Sequence, residues 1–359
     1  MFKIYQKYFI NSFLTTLGKI SLVFLVLIFI LNIFEEINFF KDEDVNFYLP
    51  LLLTFLNSSS IFYDILPFTF LITTQFFFIN LIEKNELILL KNYGLNNFKI
   101  INVLSLISLI LGIFIITVFY NLSANMKFLY LDLKNNYATD NKYLAVITDN
   151  GLWIKDEINQ KTNIISANNI QKDKLTDVEI TQFDQNFDLI KTFSSKEADV
   201  SNNTWILMDV EVANSLNNSN FYEQLNFETN FNSTKINNLY SNLSSLSLWE
   251  LRELKKNYKK TGYSLKDVSL HIQKIYAYPI YLTIMTILSS IVMLNIKINR
   301  PKIFNLILGI LISVIIYYIS CFFVILGANE KISILASVWA PLLIIVLVIS
   351  IGLVRINEK

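Results

Sequence analysis

Few side chains in this sequence could do chemistry. There is one histidine, His271, and one cysteine, Cys321. A lone imidazole does not supply the several acid–base roles of most hydrolases, and a single thiol allows no intramolecular disulfide. Together they are a poor donor set for a metal. No G-x-S-x-G elbow occurs. None of the eight glycines has the G-x-x-x-x-G-K-[ST] spacing whose backbone N–H groups cradle phosphates. The expectation is a chain with no catalytic residues, no metal, no cofactor and no ATPase motif of its own. Two acidic features remain. Glu35-Glu36 stands at the end of the first long apolar run and reads as a solvated interface or as a proton-coupling pair. Asp64 stands near the start of the second run and reads as an outer-edge residue. His271 reads as a packed or interfacial residue at a span's outer end.

The elements that would carry these residues are apolar. Hydrophobic residues make up 53% of 359, charged residues 16%, and mean hydropathy is +0.45. Soluble domains usually hold about a quarter charged residues, so the chain is not mainly soluble, and no nucleic acid partner is expected. Candidate spans fall at about 13–34, 61–82, 98–120, 275–296, 303–326 and 338–354, with 47–56 extending the second or packing beside it. Each is near the roughly 20 residues that cross a bilayer. The run from Ile20 to Phe34 has no small-residue cleavage site after it, which reads as a retained span rather than a signal peptide. Ionisable residues are scarce mid-span, which weighs against a secondary transporter.

Short loops orient the chain. With the N-terminus inside, inner segments hold Lys3, Lys7, Lys19, Lys84, Lys91, Lys99, Lys297, Arg300, Lys302, Arg355 and Lys359. Outer short loops hold only Lys41 and Lys331, among acids such as Glu35, Glu36, Asp42, Glu43 and Asp44. Both termini are expected in the cytoplasm, and the polar stretch of residues 121–274 outside.

That stretch reads as mostly β. "YLAVITDNGLWIKDE" sets Asn150-Gly151 between two β-prone runs, a type I′ hairpin signal. "DVEITQFDQNFDLIKTF" repeats the plan around Asp184 to Asn186. "NTWILMDVEV" spaces Trp205, Leu207, then Val210 and Val212. Strands at this density suggest a sandwich or jelly roll. From Leu248 the period becomes helical, with Ser247 as cap and Gly262 near the end. The fold class is thus an α-helical polytopic membrane protein of six transmembrane helices with an inserted all-β, jelly-roll-like domain. The divisions are 1–122, 123–246, 247–274 (a connecting helix) and 275–359.

Between spans two and three lies "INLIEKNELILLKNYGLNNFKI", too apolar for a plain loop. On a helix over about 83–93, Glu83, Glu86, Leu87, Leu90 and Lys91 share one face, and Gly94 ends it. Periodicity leaves two readings open. The segment lies on the lipid, or its face presents to the cytoplasm as a docking knob for a soluble protein.

Several motifs resemble the LptF/LptG permease family of lipopolysaccharide export. "NELILLKNYGLNNFKI" resembles the segment after its second span, and "ILPFTFLI" the Leu-Pro-Phe within that span. "GLWIKD" and "LTDVEITQFDQNFDLIKTFSSKEADVSNNTWILMDV" resemble its periplasmic β domain. "KIYAYPI" resembles the entry to its fourth span, and "ASVWAP" the start of its sixth. The last motif and the Gly-Leu-Trp strand resemble the LptG side more than LptF.

The resemblance covers essentially the whole chain and implies a permease subunit in the bacterial inner membrane. It implies a heterodimer with an LptF-like subunit on an LptB-like ATPase dimer, passing lipopolysaccharide to LptC/LptA-like bridge proteins. It also implies that the segment after span two is a coupling helix seated in the ATPase, with Glu86 as its glutamate. A lipid cavity and gate would fall at Asn32, Phe34, Glu36, Lys41, Pro67, Tyr317 and Lys331. The sequence departs from the family in the scarcity of basic residues near the outer end of span one. It also has Phe187 where glycine is common, which predicts a longer hairpin. A membrane-anchored sensor or assembly factor, and a mechanotransmitting ABC permease, are the alternative readings.

Overall fold

The computed structural model describes residues 4–41, 45–135, 137, 145–148, 151–158, 161–171, 173–184, 187–214, 219–233, 242–261, 264–295 and 302–357. Asn150, Asn186, Gly262 and the inner charges Lys3, Lys297, Arg300 and Lys359 lie outside the described residues. The chain divides into two compact units. One runs to Tyr130 and resumes at Ser269; the other is Leu131–Val268.

The first unit is helical. Its elements are α1 (Ile4–Phe39), α2 (Tyr48–Glu83), α3 (Glu86–Asn92) and α4 (Asn97–Phe114), then a π turn (Ile115–Phe119) and α5 (Tyr120–Asn135). After the second unit come α7 (Lys266–Leu294), α8 (Lys302–Ala328) and α9 (Ile334–Asn357). Among the described residues, six helical segments are long and apolar enough to cross a membrane. Five of the six expected spans fall within them; the fourth, expected at 275–296, overlaps a helix that ends at Leu294, and residues 48–56 are the first turns of α2. At about 1.5 Å per residue, the 36 residues each of α1 and α2 exceed the roughly 30 Å hydrocarbon core, so both project beyond it.

The centre of this unit is α2 and α7; α1 and α8 are the most exposed spans. Phe9, Phe13, Phe70, Phe77 and Phe78 are fully buried in one cluster between α1 and α2. A second cluster joins Leu71 of α2 to Met285 of α7 and Leu342 of α9. Small residues let the backbones approach, as membrane helices require. A Cβ at Gly112 of α4 would stand 2.7 Å from the Pro279 Cα of α7, and nearby Ser108 and Thr286 share a buried 2.8 Å hydrogen bond.

Two proline motifs meet across the same bundle. Pro67 has no N–H, so the carbonyl of Tyr63, four residues back, loses its helical donor. In lipid that orphan is costly. The Tyr278 hydroxyl, next to Pro279, donates to that carbonyl, and the two tyrosine rings stack at 4.4 Å.

Among its described residues the second unit holds one antiparallel sheet of seven strands: β1 (Ala145–Thr148), β2 (Gly151–Ile158), β3 (Lys161–Gln171), β4 (Lys174–Phe183), β5 (Leu189–Asp199), β6 (Thr204–Asn214) and β7 (Ser219–Glu228). The inserted β domain is thus found, and its strands pair in sequence order, as a meander. The β1–β2 hairpin forms with Thr148 opposite Gly151, which places Gly151 inside the ladder. α6 (Leu248–Thr261) follows, opened by a capping box. The Glu250 N–H donates to Ser247 Oγ at 3.4 Å, and the Ser247 N–H to Glu250 Oε2 at 2.7 Å.

A bend line crosses this sheet. In register, Asp177 of β4, Lys196 of β5 and Asp209 of β6 stand side by side, and the regular pairing skips this row in both ladders. Asp177 and Asp209 have φ of 53° and 51°. A left-handed residue turns the strand, so inward positions shift phase by one. The buried pairs Leu175/Val178 and Leu207/Val210 flank the two aspartates three residues apart instead of two. Aspartate tolerates this geometry better than most side chains.

The segment after β7 returns across the unit to β2. Thr229 Oγ1 donates to Asp156 Oδ2 at 2.7 Å, as does the Asn230 N–H at 3.1 Å, and Asn230 Nδ2 donates to Oδ1 at 2.9 Å. The fully buried Trp205 indole N–H donates to the Phe231 carbonyl at 2.8 Å.

Phe187, between β4 and β5, has φ of 64° and an exposed ring 6.2 Å from that of Phe183. The left-handed region costs an L-residue roughly 1–2 kcal/mol. Phe187→Gly is expected to stabilise the β unit by about 1 kcal/mol after loss of the ring contact. Slower amide exchange in β4 and β5 would register the gain; faster exchange would refute it.

Candidate functional site

α3 is a seven-residue helix with engineered-looking ends only in the sense that both follow from local backbone geometry. Asn85 has φ of 56°, which breaks the chain away from α2. At the other end Gly94 has φ of 81°; its N–H donates to the Lys91 carbonyl and that of Leu95 to Leu90, the Schellman arrangement. Asn96 then caps α4 by accepting from the Lys99 N–H at 3.0 Å.

These boundaries correct the expected face. Glu83 is the last residue of α2, not part of α3, because the left-handed Asn85 separates them. Leu87 and Leu90 do not point outward: they are half-buried and pack against the α1–α2 phenylalanine cluster. The outward apolar residues are Ile88 (61% exposed), Leu89 (53%) and, just past the helix, Tyr93 (86%), with Lys91 exposed among them. Glu86 is half-buried, and the Tyr8 hydroxyl of α1 donates to its Oε2 at 2.5 Å.

The expected cavity residues separate in the same way. On α1, Phe34 is 65% exposed, whereas Asn32 is 4% and Glu36 0% exposed. The helical period sets positions 32 and 36 on one face and 34 on the other. Asn32 and Glu36 therefore do not line an open cavity; they join a buried polar cluster with α2 and α5. Asn57 Nδ2 donates to Asn32 Oδ1 at 3.3 Å, and Lys127 Nζ donates to Asn57 Oδ1 at 2.5 Å. The Tyr130 hydroxyl donates to Glu36 Oε1 at 2.8 Å, and Lys127 Nζ stands 4.6 Å from the Tyr130 ring centroid. Asn32 Nδ2 has no hydrogen-bond partner.

Pro67 is buried in α2, in the carbonyl exchange already described. Tyr317 is 58% exposed on α8. Lys41 follows α1 and Lys331 follows α8, both exposed. Lys331 is set by a second Schellman turn, in which Glu330 takes φ of 59° and the Lys331 N–H donates to the Leu326 carbonyl. His271 shares a 3.0 Å hydrogen bond between Nε2 and the Tyr120 hydroxyl, the packed arrangement expected of it. Asp64 is exposed on α2.

Sequence reasoning passed over Tyr8, Gln75 and Tyr278. Gln75 Nε2 donates to the Asn305 and Leu306 carbonyls of α8 at 3.3 and 3.2 Å, beside Gly309, where any Cβ would collide with it. A proline in a span signals a carbonyl that needs a donor, so Tyr278 had a signal; Tyr8 and Gln75 had none. Among the described residues no group of three or more His, Cys, Asp or Glu could hold a metal.

A search of curated proteins finds no match. The family model described as "Lipopolysaccharide export system permease LptF/LptG" matches residues 7–355. With six apolar helices, an inserted β unit and a match over nearly its whole length, the chain belongs to the LptF/LptG family of lipopolysaccharide export permeases.

Proposed function

We propose that this chain is a non-catalytic subunit, on the LptG side, of an ABC exporter that draws lipopolysaccharide from the inner membrane. It works beside an LptF-like subunit, powered by an LptB-like ATPase dimer, and delivers lipid to LptC/LptA-like bridge proteins. The lysines and arginines of the short loops support cytoplasmic termini and a periplasmic β unit. Phe34, Lys41, Tyr317 and Lys331, all exposed on or beside α1 and α8, are the residues proposed to meet the lipid.

The observation that carries this reading is α3. A soluble loop has no reason to hold Ile88, Leu89 and Tyr93 outward while Leu87 and Leu90 anchor it on the span core. Such a helix is a mounted knob, which a groove on a soluble partner can take up. Energy from ATP closure would enter the spans there, since the chain carries no P-loop.

The test is Ile88→Asp together with Leu89→Asp, co-expressed with the partner permease and the ATPase. Recovery of the ATPase with the permeases is expected to fall at least about tenfold, as when hot-spot side chains are lost from an interface. Leu87→Ala is expected to lower thermal stability in detergent first, because it removes packing. Undiminished ATPase recovery with the double aspartate variant would overturn the docking role of α3.

A further inference from the structure

The docking helix is bound to two spans, not one. Its covalent link is to α2, through Lys84 and the left-handed Asn85. That link is a break in the helix, and a hinge at this point transmits a push poorly. Its second tie is to α1, where the Tyr8 hydroxyl donates to Glu86 Oε2 at 2.5 Å across 78 residues of sequence. A phenol donating to a carboxylate is a charge-assisted bond, stronger and more directional than a neutral one. Around it, Tyr5, Phe9, Leu87 and Leu90 belong to one packed cluster, and the Phe9 ring meets that of Phe77 edge-on at 5.8 Å. The first turns of α1 and α3 are therefore joined by one hydrogen bond and by shared packing on the cluster.

α1 suits the part of a lever. It is one unbroken helix of 36 residues. Its central apolar stretch is the least buried of the six spans. At its far end Asn32 and Glu36 grip α2 and α5 through the buried polar cluster. Glu86, the acid expected to meet a partner, also accepts a bond from within the chain, through one of its two oxygens.

We propose that Tyr8 is a positioning residue that passes movement of α3 into the first span, with Glu86 as its acceptor. The inference rests on the docking reading of α3.

The test uses the full complex of both permeases and the ATPase, reconstituted in proteoliposomes containing lipopolysaccharide, with the bridge proteins as acceptor. Tyr8→Phe removes one hydroxyl and leaves the ring. Recovery of the ATPase and basal ATP hydrolysis are expected to stay as in the parent. Lipopolysaccharide delivered per ATP is expected to drop at least about fivefold, the lower range of a coupling between distant sites. Glu86→Ala is expected to give at least that drop, and adding Tyr8→Phe to it no further one, because the bond is already gone. Unchanged lipid per ATP in Tyr8→Phe overturns the proposal, as does a drop that adds to that of Glu86→Ala. Loss of the ATPase from Tyr8→Phe also overturns it, since Tyr8 would then act in docking itself. Retention of the ATPase by the Ile88→Asp, Leu89→Asp variant overturns the docking reading, and this inference with it.

Discussion

Asp156→Ala is expected to open the β unit. The carboxylate is 2% exposed and accepts three hydrogen bonds from two residues beyond β7. Its removal takes the acceptor from the buried Thr229 hydroxyl and from the N–H and side-chain amide of Asn230, a residue exposed at the rim of the site. Losing these bonds to a carboxylate costs about 2–4 kcal/mol, a large share of the stability of a domain this size. The return segment would detach from β2, and Trp205 would lose its Phe231 acceptor. Hydrogen exchange on the intact chain in detergent measures this directly. Amides of β2, β6 and β7 are expected to lose protection together, while α2 and α7 keep theirs. Protection in β2 that matches the parent would sink the prediction. Asp156→Asn is a useful companion, because it restores the volume but turns one acceptor into a donor facing the Asn230 side chain.

Asn57→Ala is expected to be the most damaging small change in the helical unit. The Asn57 amide is the middle of a chain, donating to Asn32 and accepting from Lys127. Alanine leaves a buried carbonyl oxygen without its donor and takes away an acceptor of an ammonium group. The cost is about 2–4 kcal/mol, from desolvated polar groups left unpaired in an apolar setting. A fall in the thermal unfolding midpoint in detergent checks it. The contrast is Asn32→Leu. Asn32 Nδ2 has no partner, so replacing this side chain removes an orphan donor as well as an acceptor. Its expected effect is within about 1 kcal/mol of neutral. Equal losses in the two variants would show that packing, not hydrogen bonding, governs the site.

Much of the fold was readable from residue patterns alone. Six apolar runs mark six spans because lipid contact and bundle burial both demand apolar side chains. Five strands, β1, β2, β4, β5 and β6, follow from short β-prone runs between turn residues, whereas β3 and β7 were not read there. Even the bend line left a trace. Trp205 and Leu207 keep a period of two, as do Val210 and Val212, and the extra residue between the pairs is the left-handed Asp209. Ser247 announced a helix start, and Gly94 a helix end, because capping is local chemistry.

The helix α3, proposed above to dock a partner, shows the limit of residue patterns. Its existence, its charge and its C-terminal glycine were determined by the sequence, as were the six spans. Which face looks outward was not, because Leu87 and Leu90 form one apolar stripe and Ile88 and Leu89 the next. Periodicity measures only that a face is apolar, not whether its cover is the chain's own core or another protein. Tertiary packing decided this by placing the phenylalanine cluster of α1 and α2 under Leu87 and Leu90. The same holds for the polar pairs. Tyr8 with Glu86, Asn57 with Lys127 and Tyr278 with the Tyr63 carbonyl are separated by 78, 70 and 215 residues. No local rule joins such partners; helix packing brings them together, because burial makes each polar group take whatever donor or acceptor the neighbouring helix offers.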